Sequence, residues 1–210
     1  EYHQLRMRKG VTAKLALQRL RRIRNYFGAM MVHMGDADGM ISGHALSYPD
    51  TIRPALEIIG RDPRYKKVHG CYILSIENQS YFLADTTVNI NPTAQDLADI
   101  AMQTAELVTF FDIQPRVAML SYSNFGSAKG ESPSKIIEAL EIVKERMPGL
   151  VIDGEMQADT AVVPEMRDKV FPFTNLKGKG KANVLVFPDL NSGNIAYKLL
   201  MKLGGAKAIG

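Results

Sequence analysis

Apolar runs and amphipathic runs alternate along the chain, and this alternation is typical of repeated strand–helix–strand units. Short apolar runs predict strands at residues 27–33, 69–76, 80–84, 116–121, 150–153 and 183–187. Helical periodicity predicts helices at residues 12–25, 49–59, 93–111, 132–147, 164–170 and 192–203. This order predicts an α/β fold with a mainly parallel sheet and helices on both of its faces.

Capping signals mark where several of these helices begin and end. Thr12 and Thr93 stand at predicted N-cap positions, and Asp96 completes an acidic variant of the capping box with Thr93. Pro49 lies in the first turn of another helix, and Gly60 follows its last turn. The helix bounds therefore do not depend on the hydrophobic pattern alone.

One segment, residues 62–91, breaks the regular alternation. Its two predicted strands are separated by residues 77–79, which predicts an antiparallel hairpin. The hairpin belongs either to the edge of the main sheet or to a separate lobe. We therefore expect one partial domain over residues 1–210, with two possible lobes whose boundary the pattern does not define.

The composition is that of an ordinary globular protein with a modest basic excess. Hydrophobic residues make up 46% of the chain, and the formal net charge is +4. The basic stretch at residues 6–24 contains no aromatic ring, which is more typical of a solvated helix face than of a nucleic-acid platform. The charge suits an anionic small ligand, and no nucleic-acid partner is expected.

The single cysteine, Cys71, excludes an internal disulfide framework and fits a reducing compartment. We therefore expect a cytoplasmic protein. Cys71 lies in an apolar run and is interpreted as a small core residue rather than as a nucleophile. No apolar stretch reaches the length of about 18 residues that a membrane span needs, so no membrane partner is expected.

Polar loops follow several predicted strands, and the carboxyl ends of parallel strands meet at one edge of a sheet. We therefore expect a site for an anionic, phosphate-bearing ligand at this edge. The loops comprise residues 35–43, 85–89, 121–129, 153–159 and 188–194. Asp36 and Asp38 in the first loop lack the remainder of a calcium-binding pattern, so no metal site is expected.

Three of these loops leave alternatives open. After Asp85, the hydroxyls of Thr86 and Thr87 either donate to phosphate or stabilise the turn. In the third loop, backbone N–H groups beside Gly126 are candidates for an anion-binding nest. The carboxylates of the fourth loop either perform acid–base chemistry or cap a following helix.

Taken in order, six segments resemble the phosphate acetyl/butyryl transferase family over nearly the whole chain. They are NYFGAMMVHMGDADGMISG (25–43), DTIRPALEIIG (50–60), FLADTTVNINPTAQDLADIA (82–101), VAMLSYSNFGSAKG (117–130), VIDGEMQADTAV (151–162) and ANVLVFPDLNSGNIAYKLLMKLGGAKAIG (182–210). Residues 47–54 and 121–127 are most similar to the version fused to the C-terminus of large NADP-dependent malic enzymes. The resemblance implies a two-lobed, phosphotransacetylase-like architecture.

The resemblance also implies that acetyl-CoA and either phosphate or acetyl phosphate bind in a cleft between two lobes. It assigns the anion and acyl contacts to Arg53, Ser123, Asn124 and Ser127, with Asp85, Thr86 and Thr87 as further candidates. Arg53 is predicted in the first turn of the helix at residues 49–59, and a guanidinium group there can grip phosphate through two parallel hydrogen bonds.

Members of this family have a longer stretch before the helix at Thr12, and they continue beyond the position of Gly210. Their distal segment carries the catalytic base and a key arginine. The resemblance therefore implies a truncated chain with no catalytic residue of its own. It also leads us to expect a homodimer or a higher homo-oligomer.

The resulting hypothesis is an acetyl-CoA-binding regulatory and oligomerisation domain of an NADP-dependent malic enzyme. In this interpretation the chain itself is non-catalytic. Oxidative decarboxylation of malate, with NADP and a divalent metal ion, takes place in an absent N-terminal region. One alternative is a phosphate acetyltransferase that moves acetyl between CoA and phosphate, and another is an assembly domain with a relict pocket.

Overall fold

The structure is a computed structural model that describes all 210 residues. The chain divides into two compact units, which we call the N-terminal unit (Glu1–Arg64) and the C-terminal unit (Tyr65–Gly210).

The N-terminal unit is built from helices. Its elements are α1 (Tyr2–Arg6), a 3-10 turn (Met7–Lys9), α2 (Ala13–Arg22), α3 (Arg24–Met34) and α4 (Tyr48–Ile58). The Thr12 side chain caps α2 as predicted, because it accepts a hydrogen bond of 3.2 Å from the N–H of Leu15. Small and aromatic side chains such as Ala16, Ala29 and Tyr26 form the core of this unit.

Glu57 of α4 ties the helices of the N-terminal unit together. Its Oε2 atom accepts hydrogen bonds from the hydroxyls of Tyr2 (2.9 Å) and Tyr26 (3.0 Å). The guanidinium of Arg19 donates to the same oxygen at 3.2 Å. Burial, and next the hydrogen bond to Glu57, raise the pKa of Tyr26 above its ordinary value. Helices α1, α2 and α3 thus each donate to one carboxylate of α4.

The predicted strand at residues 27–33 is wrong, because these residues lie in α3. The buried residues Tyr26, Ala29 and Met30 follow the i, i+3, i+4 spacing of one helix face. Phe27, which a fully buried strand would hide, is 57% exposed. A short apolar run alone does not distinguish a strand from a helix. Here the spacing of the buried residues identifies a helix.

The predicted helix at residues 12–25 is in fact two helices. Ile23 lies between α2 and α3 with extended backbone angles, φ −116° and ψ 104°. The helix predicted at residues 49–59 is α4, and Ser47 caps it by accepting a hydrogen bond from the N–H of Asp50.

The elements of the C-terminal unit are β1 (Cys71–Ile76), β2 (Gln79–Ala84), α5 (Ala94–Phe110), β3 (Val117–Leu120), α6 (Glu131–Arg146), β4 (Ile152–Met156), α7 (Ala158–Val162), α8 (Pro164–Val170), β5 (Val184–Val186), α9 (Leu190–Lys202) and β6 (Lys207–Ile209). The strands form one six-stranded sheet with the order β4-β3-β5-β2-β1-β6. Strands β2, β5, β3 and β4 pair in parallel, while β1 is antiparallel to both β2 and β6. The predicted α/β fold with a mainly parallel sheet is confirmed.

Alternate residues of the central strands face two different apolar cores. Phe82 and Ala84 of β2 join a cluster that contains Leu97 of α5. Leu83, which lies between them, joins a second cluster that contains Tyr197 of α9. Because successive side chains of a strand point to opposite faces, helices cover both faces of the sheet.

The predicted hairpin of residues 62–91 belongs to the main sheet. Its turn consists of Glu77 and Asn78, whose φ angles of 49° and 62° are left-handed. Two consecutive left-handed residues are the requirement of a type I′ turn, and Asn tolerates this conformation well. Gln79, which the sequence assigned to the turn, already pairs with Ile76 in the strand.

Arg167 of α8 is completely buried and anchors a loop that contains several lysines. It donates hydrogen bonds to the carbonyl oxygens of Leu176 (2.7 Å) and Gly180 (3.0 Å), and it pairs with Asp168 at 2.9 Å. The N–H of Gly178 and the Arg167 guanidinium hold the pKa of Asp168 below its ordinary value. The buried guanidinium thus has acceptors for its donors.

Replacing Thr160 with valine is expected to stabilise the protein by about 1 kcal/mol. Thr160 is 1% exposed, and its hydroxyl has no hydrogen-bond partner. Valine keeps the shape and removes the unsatisfied group. The matched control is Thr104→Val, because the Thr104 hydroxyl donates to the carbonyl of Ile100 and lies 2.9 Å from Nε2 of His69.

Urea unfolding of the two variants measures this difference. We expect the midpoint to rise for Thr160→Val and to fall for Thr104→Val, with equal slopes. A lower midpoint for Thr160→Val would show that its hydroxyl has a partner in solution.

Candidate functional site

Four parallel strands end at one edge of the sheet, and polar loops follow them there. The loop after β2 (residues 85–89) is called the threonine loop, and the loop after β3 (residues 121–129) is called the serine loop. Asn194 of α9 donates to the carbonyl of Thr86 at 3.1 Å, which joins the threonine loop to the segment after β5. The N–H of Gln157, after β4, donates to Oδ1 of Asn124 at 2.8 Å, which joins β4 to the serine loop.

The side chain of Asp85 stabilises the conformation of the threonine loop. Its side chain is buried, and its two oxygens accept five hydrogen bonds. The donors are the backbone N–H groups of Gly70, Thr87, Val88 and Asn89 and the side-chain amide of Asn89. This pattern favours the turn-stabilising interpretation for Asp85.

Of the two threonines that follow Asp85, only Thr87 retains accessible surface. Thr86 is completely buried, and its N–H donates to the carbonyl of Gly70 at 3.3 Å. Thr87 is half-buried. It packs so closely on Gly70 that a Cβ atom added to Gly70 would collide with the Thr87 hydroxyl. Thr87 is therefore the member of this loop that a ligand can reach.

The start of α9 approaches the threonine loop closely. A Cβ atom on Gly193 would lie 2.3 Å from the carbonyl oxygen of Asp85, so only glycine fits at this position. Asp189 caps the helix by accepting a hydrogen bond of 2.8 Å from the N–H of Ser192. The helix start and the loop therefore form one rigid edge of the site.

The backbone N–H groups beside Gly126, which the sequence offers as candidates for an anion-binding nest, already donate to acceptors within the protein. The N–H of Phe125 donates to the Glu155 carbonyl at 2.9 Å, and that of Gly126 donates to the Glu155 carboxylate at 2.6 Å. The N–H groups of Ser123, Asn124, Ser127 and Ala128 donate to acceptors within the loop. An anion meets this loop through side chains.

The side chains of the serine loop differ in how far a ligand can reach them. Ser123 is fully buried, donates to Oε1 of Glu155 at 2.8 Å and accepts from the N–H of Ala128 at 3.0 Å. Asn124 is half-buried, and Ser127 is exposed. Asn124 and Ser127 are thus the predicted contacts that this loop presents at its surface.

The carboxylates of residues 153–159 hold neighbouring segments in place. Asp153 accepts hydrogen bonds of 2.7 Å from the hydroxyl of Thr174 and the N–H of Asn175. Glu155 lies in β4 and is bound to the serine loop. Asp159 lies in the first turn of α7. Sequence reasoning counted Glu155 among the loop carboxylates but missed its contact with the serine loop, because an acidic residue inside a strand gives no signal for which loop it binds.

Arg53 lies in α4 of the N-terminal unit and is exposed. It is the sixth residue of α4, so it belongs to the second turn rather than the predicted first turn. No carboxylate lies within ion-pair distance of its guanidinium. The side chain is therefore available to an anionic ligand.

No group of three or more His, Cys, Asp or Glu side chains is placed to hold a metal ion. Asp36 and Asp38 are both exposed in the loop after α3. None of the helices combines the length and the apolar character that spanning a bilayer requires.

Cys71 is expected to be unreactive in the native protein and to react with a thiol reagent only on unfolding. Burial, and next the charge of Asp85, raise the pKa of the Cys71 thiol to about 12, so the nucleophilic thiolate is scarce at pH 8. Because the pKa of this thiol in the folded protein lies above its ordinary value of 9.0, the stability associated with the protonated thiol is complete below pH 9 and is lost as the pH rises towards 12. Thiol titration at pH 8 with and without urea tests this, and rapid native reaction contradicts it.

A model of the phosphate acetyl/butaryl transferase family matches residues 1–210. The chain belongs to this family. It is 48% identical to a phosphate acetyltransferase of Bacillus subtilis over 186 residues, covering 89% of this chain and 57% of that protein. It is 43% identical to a phosphate acetyltransferase of Clostridium acetobutylicum over 217 residues, covering 100% of this chain and 64% of that protein. The chain thus spans less than two thirds of these relatives' length.

Solved phosphotransacetylase structures share the fold. The EutD phosphotransacetylase of Staphylococcus aureus matches with a TM-score of 0.88 and 39% identity, covering 100% of this chain and 63% of that one. A phosphotransacetylase of Streptococcus pyogenes matches with a TM-score of 0.88 and 46% identity, covering 98% and 63% of the two chains. The fold and the family therefore agree.

These comparisons overturn the malic-enzyme hypothesis. The relatives named above are phosphate acetyltransferases, so the interpretation as a regulatory domain of an NADP-dependent malic enzyme is wrong. The expectations that depended on it are wrong too: the oxidoreductase class, the use of NADP and a metal, and a non-catalytic piece of that enzyme. That hypothesis rested on residues 47–54 and 121–127, two short loop segments, whereas the family match covers every element of the chain.

Proposed function

We propose that the protein containing this chain is a phosphate acetyltransferase, which transfers an acetyl group between the sulfur of CoA and an oxygen of phosphate. The observation that carries the proposal is the 48% identity to the Bacillus subtilis phosphate acetyltransferase over 89% of this chain. Acetyl-CoA, phosphate and acetyl phosphate are then substrates and products, and the reaction needs neither NADP nor a metal ion.

Both substrates are anions, and accessible side chains in each of the two units suit anions. In the N-terminal unit, Arg53 offers a guanidinium without an acidic partner, which can grip two phosphate oxygens at once. In the C-terminal unit, Asn124 and Ser127 offer an amide and a hydroxyl on the serine loop, and Thr87 offers a second hydroxyl on the threonine loop. We propose each of these side chains as a candidate substrate contact.

The buried candidate residues support the two loops and do not contact the substrate in this proposal. Asp85, Thr86 and Ser123 hold the two loops in the shape that presents the contacts, because they are buried and already hydrogen-bonded. A fixed arrangement of donors stabilises the oxyanion that forms when phosphate oxygen attacks the acetyl carbonyl. The carbon–sulfur bond then breaks, and the electron pair leaves with the CoA sulfur.

Phosphate-dependent release of the CoA thiol from acetyl-CoA tests the proposed activity. We expect release that requires both the protein and phosphate and that saturates with phosphate concentration. Thiol release at the same rate without phosphate indicates a thioester hydrolase and contradicts the proposal. Absence of release, with acetyl-CoA binding shown by calorimetry, contradicts it as well.

We also propose that the protein forms a homo-oligomer. The chain has a mass of 23.3 kDa, and we expect light scattering to give a mass of at least twice this value. Large apolar side chains are exposed in both units, among them Phe110, Leu203 and Ile209 of the C-terminal unit, and exposed apolar surface of this kind often marks an interface. A mass that stays at the monomer value across a range of concentrations contradicts this expectation.

A further inference from the structure

Glu155 is a buried carboxylate without a cationic partner. Its residue is 1% exposed, and no Lys, Arg or His nitrogen lies within ion-pair distance of it. A buried charge is costly unless hydrogen bonds stabilise it. The serine loop donates the hydrogen bonds that stabilise the Glu155 carboxylate.

Glu155 accepts hydrogen bonds from the serine loop through both its carboxylate and its backbone carbonyl. Its Oε1 atom accepts hydrogen bonds from the hydroxyl of Ser123 at 2.8 Å and from the N–H of Gly126 at 2.6 Å. Its backbone carbonyl accepts a third from the N–H of Phe125 at 2.9 Å. One residue of β4 thus satisfies three donors of the serine loop.

These contacts hold the loop in a conformation that its sequence does not favour. Phe125 has a φ of 46° and Gly126 a φ of 87°, two consecutive left-handed residues of which only one is glycine. A residue such as Phe125 persists in this region only when its surroundings determine it. The hydrogen bonds that Phe125 and Gly126 donate to the carbonyl and the carboxylate of Glu155 supply that constraint.

The exposed contacts of the loop depend on this conformation. The N–H of Asn124 donates to Oγ of Ser127 at 2.9 Å, and the N–H of Ser127 donates to the carbonyl of Asn124 at 3.0 Å. Phe125 and Gly126 are the two residues between them, so the left-handed pair sets the position of both side chains. The N–H of Gln157 also fixes the Asn124 amide from β4.

We infer that Glu155 is a positioning residue of the substrate site: its carboxylate binds the Ser123 hydroxyl and the Gly126 N–H and thereby positions Asn124 and Ser127 for contact with phosphate or an acyl phosphate. This inference rests on the proposed function. It also predicts that a ligand anion stays at the surface of the loop, because the Glu155 carboxylate already occupies these two donors.

Two substitutions of Glu155 test the inference. Both loop donors bind the same oxygen, so Glu155→Gln keeps one acceptor for both of them, whereas Glu155→Ala keeps none. We expect Glu155→Ala to raise the KM for phosphate about tenfold, since small displacements of positioning groups have large effects. We expect a KM for acetyl-CoA within about twofold of the unchanged protein, and Glu155→Gln to restore most of the phosphate KM.

The matched control is Glu141→Ala, because Glu141 is exposed on α6 and none of the hydrogen bonds to the loop involves it. A purely structural role for Glu155 predicts a different result. In that case Glu155→Ala lowers kcat in proportion to the folded fraction and leaves the KM for phosphate unchanged, which overturns the inference. Equal effects of Ala and Gln on the phosphate KM overturn it too.

Amide hydrogen exchange separates this inference from the proposed function. If the unchanged protein forms no acetyl phosphate, the proposed function fails, and exchange at Gly126 still reports on the loop. We expect Glu155→Ala to speed exchange at the Gly126 amide about tenfold or more relative to Glu141→Ala, because this N–H loses its carboxylate acceptor, whereas the Phe125 N–H keeps the backbone carbonyl of residue 155. Unchanged exchange shows that Glu155 does not hold the loop.

Discussion

Replacing Arg53 with alanine is expected to lower kcat/KM for acetyl transfer about 100-fold, with the protein still folded. The guanidinium is exposed on α4 and has no acidic partner, so its loss removes no interaction that stabilises the fold. A phosphate group without this contact loses a charge-assisted, two-point hydrogen bond. Initial rates at varied phosphate concentration, with thermal unfolding recorded in parallel, measure both parts of the expectation.

Two further variants make this result specific. Arg53→Lys keeps the charge but loses the planar fork, and we expect a loss of about tenfold. Arg8→Ala removes an exposed arginine of the same unit and is expected to leave the rate unchanged. Equal rates for Arg53→Ala and the unchanged protein would remove Arg53 from the substrate site.

Replacing Asp85 with alanine is expected to cost about 4 kcal/mol of the free energy of unfolding, the largest stability effect that we expect of one substitution. Five hydrogen bonds to the Asp85 carboxylate disappear together, and four of their donors are backbone N–H groups. Each buried donor left without an acceptor carries a desolvation penalty. Urea unfolding followed by circular dichroism measures the loss.

Asp85→Asn and Asp36→Ala complete this series. Asparagine at position 85 keeps one acceptor oxygen, but its NH₂ group then faces the two N–H donors of Asn89. We therefore expect a loss of unfolding free energy about half as large as that of Asp85→Ala. Asp36 is exposed in a loop, and its replacement is expected to leave the midpoint unchanged. An Asp85→Ala protein as stable as the Asp36→Ala protein would contradict the role of Asp85 in the threonine loop.

Much of the C-terminal unit was predictable because its local signals and its tertiary packing agree. The capping box of Thr93 and Asp96 marks the start of α5 in the sequence and is present in the structure. The strand at residues 116–121 is followed by turn-forming residues, and all four residues of β3 are buried. Where hydrophobic period, capping and turn residues agree, sequence reasoning is reliable.

The errors fall where only one signal was present. The apolar run at residues 27–33 carried no period, and the wrong choice between strand and helix followed from that. Strand β6 has three residues and depends on pairing with β1, which no local pattern encodes. Helix α7 has five residues and follows directly on β4, so it has no periodicity of its own.

At the candidate site, the sequence indicated the loops but not the roles of their residues. Hydroxyl and amide side chains after β2 and β3 mark the two loops correctly. Burial then separates Ser123 from Ser127, although the two serines are only four residues apart. The contact between Glu155 and Gly126 joins a residue of β4 to the loop that follows β3, and only the parallel pairing of these two strands brings them together.

The transfer of radiolabelled phosphate into acetyl phosphate, with acetyl-CoA as the acetyl donor, tests the proposed function most directly. We expect labelled acetyl phosphate in amounts equal to the CoA thiol released, and about 100-fold slower labelling with Arg53→Ala. Label that stays in inorganic phosphate while thiol is released would contradict the proposed acetyl transfer to phosphate.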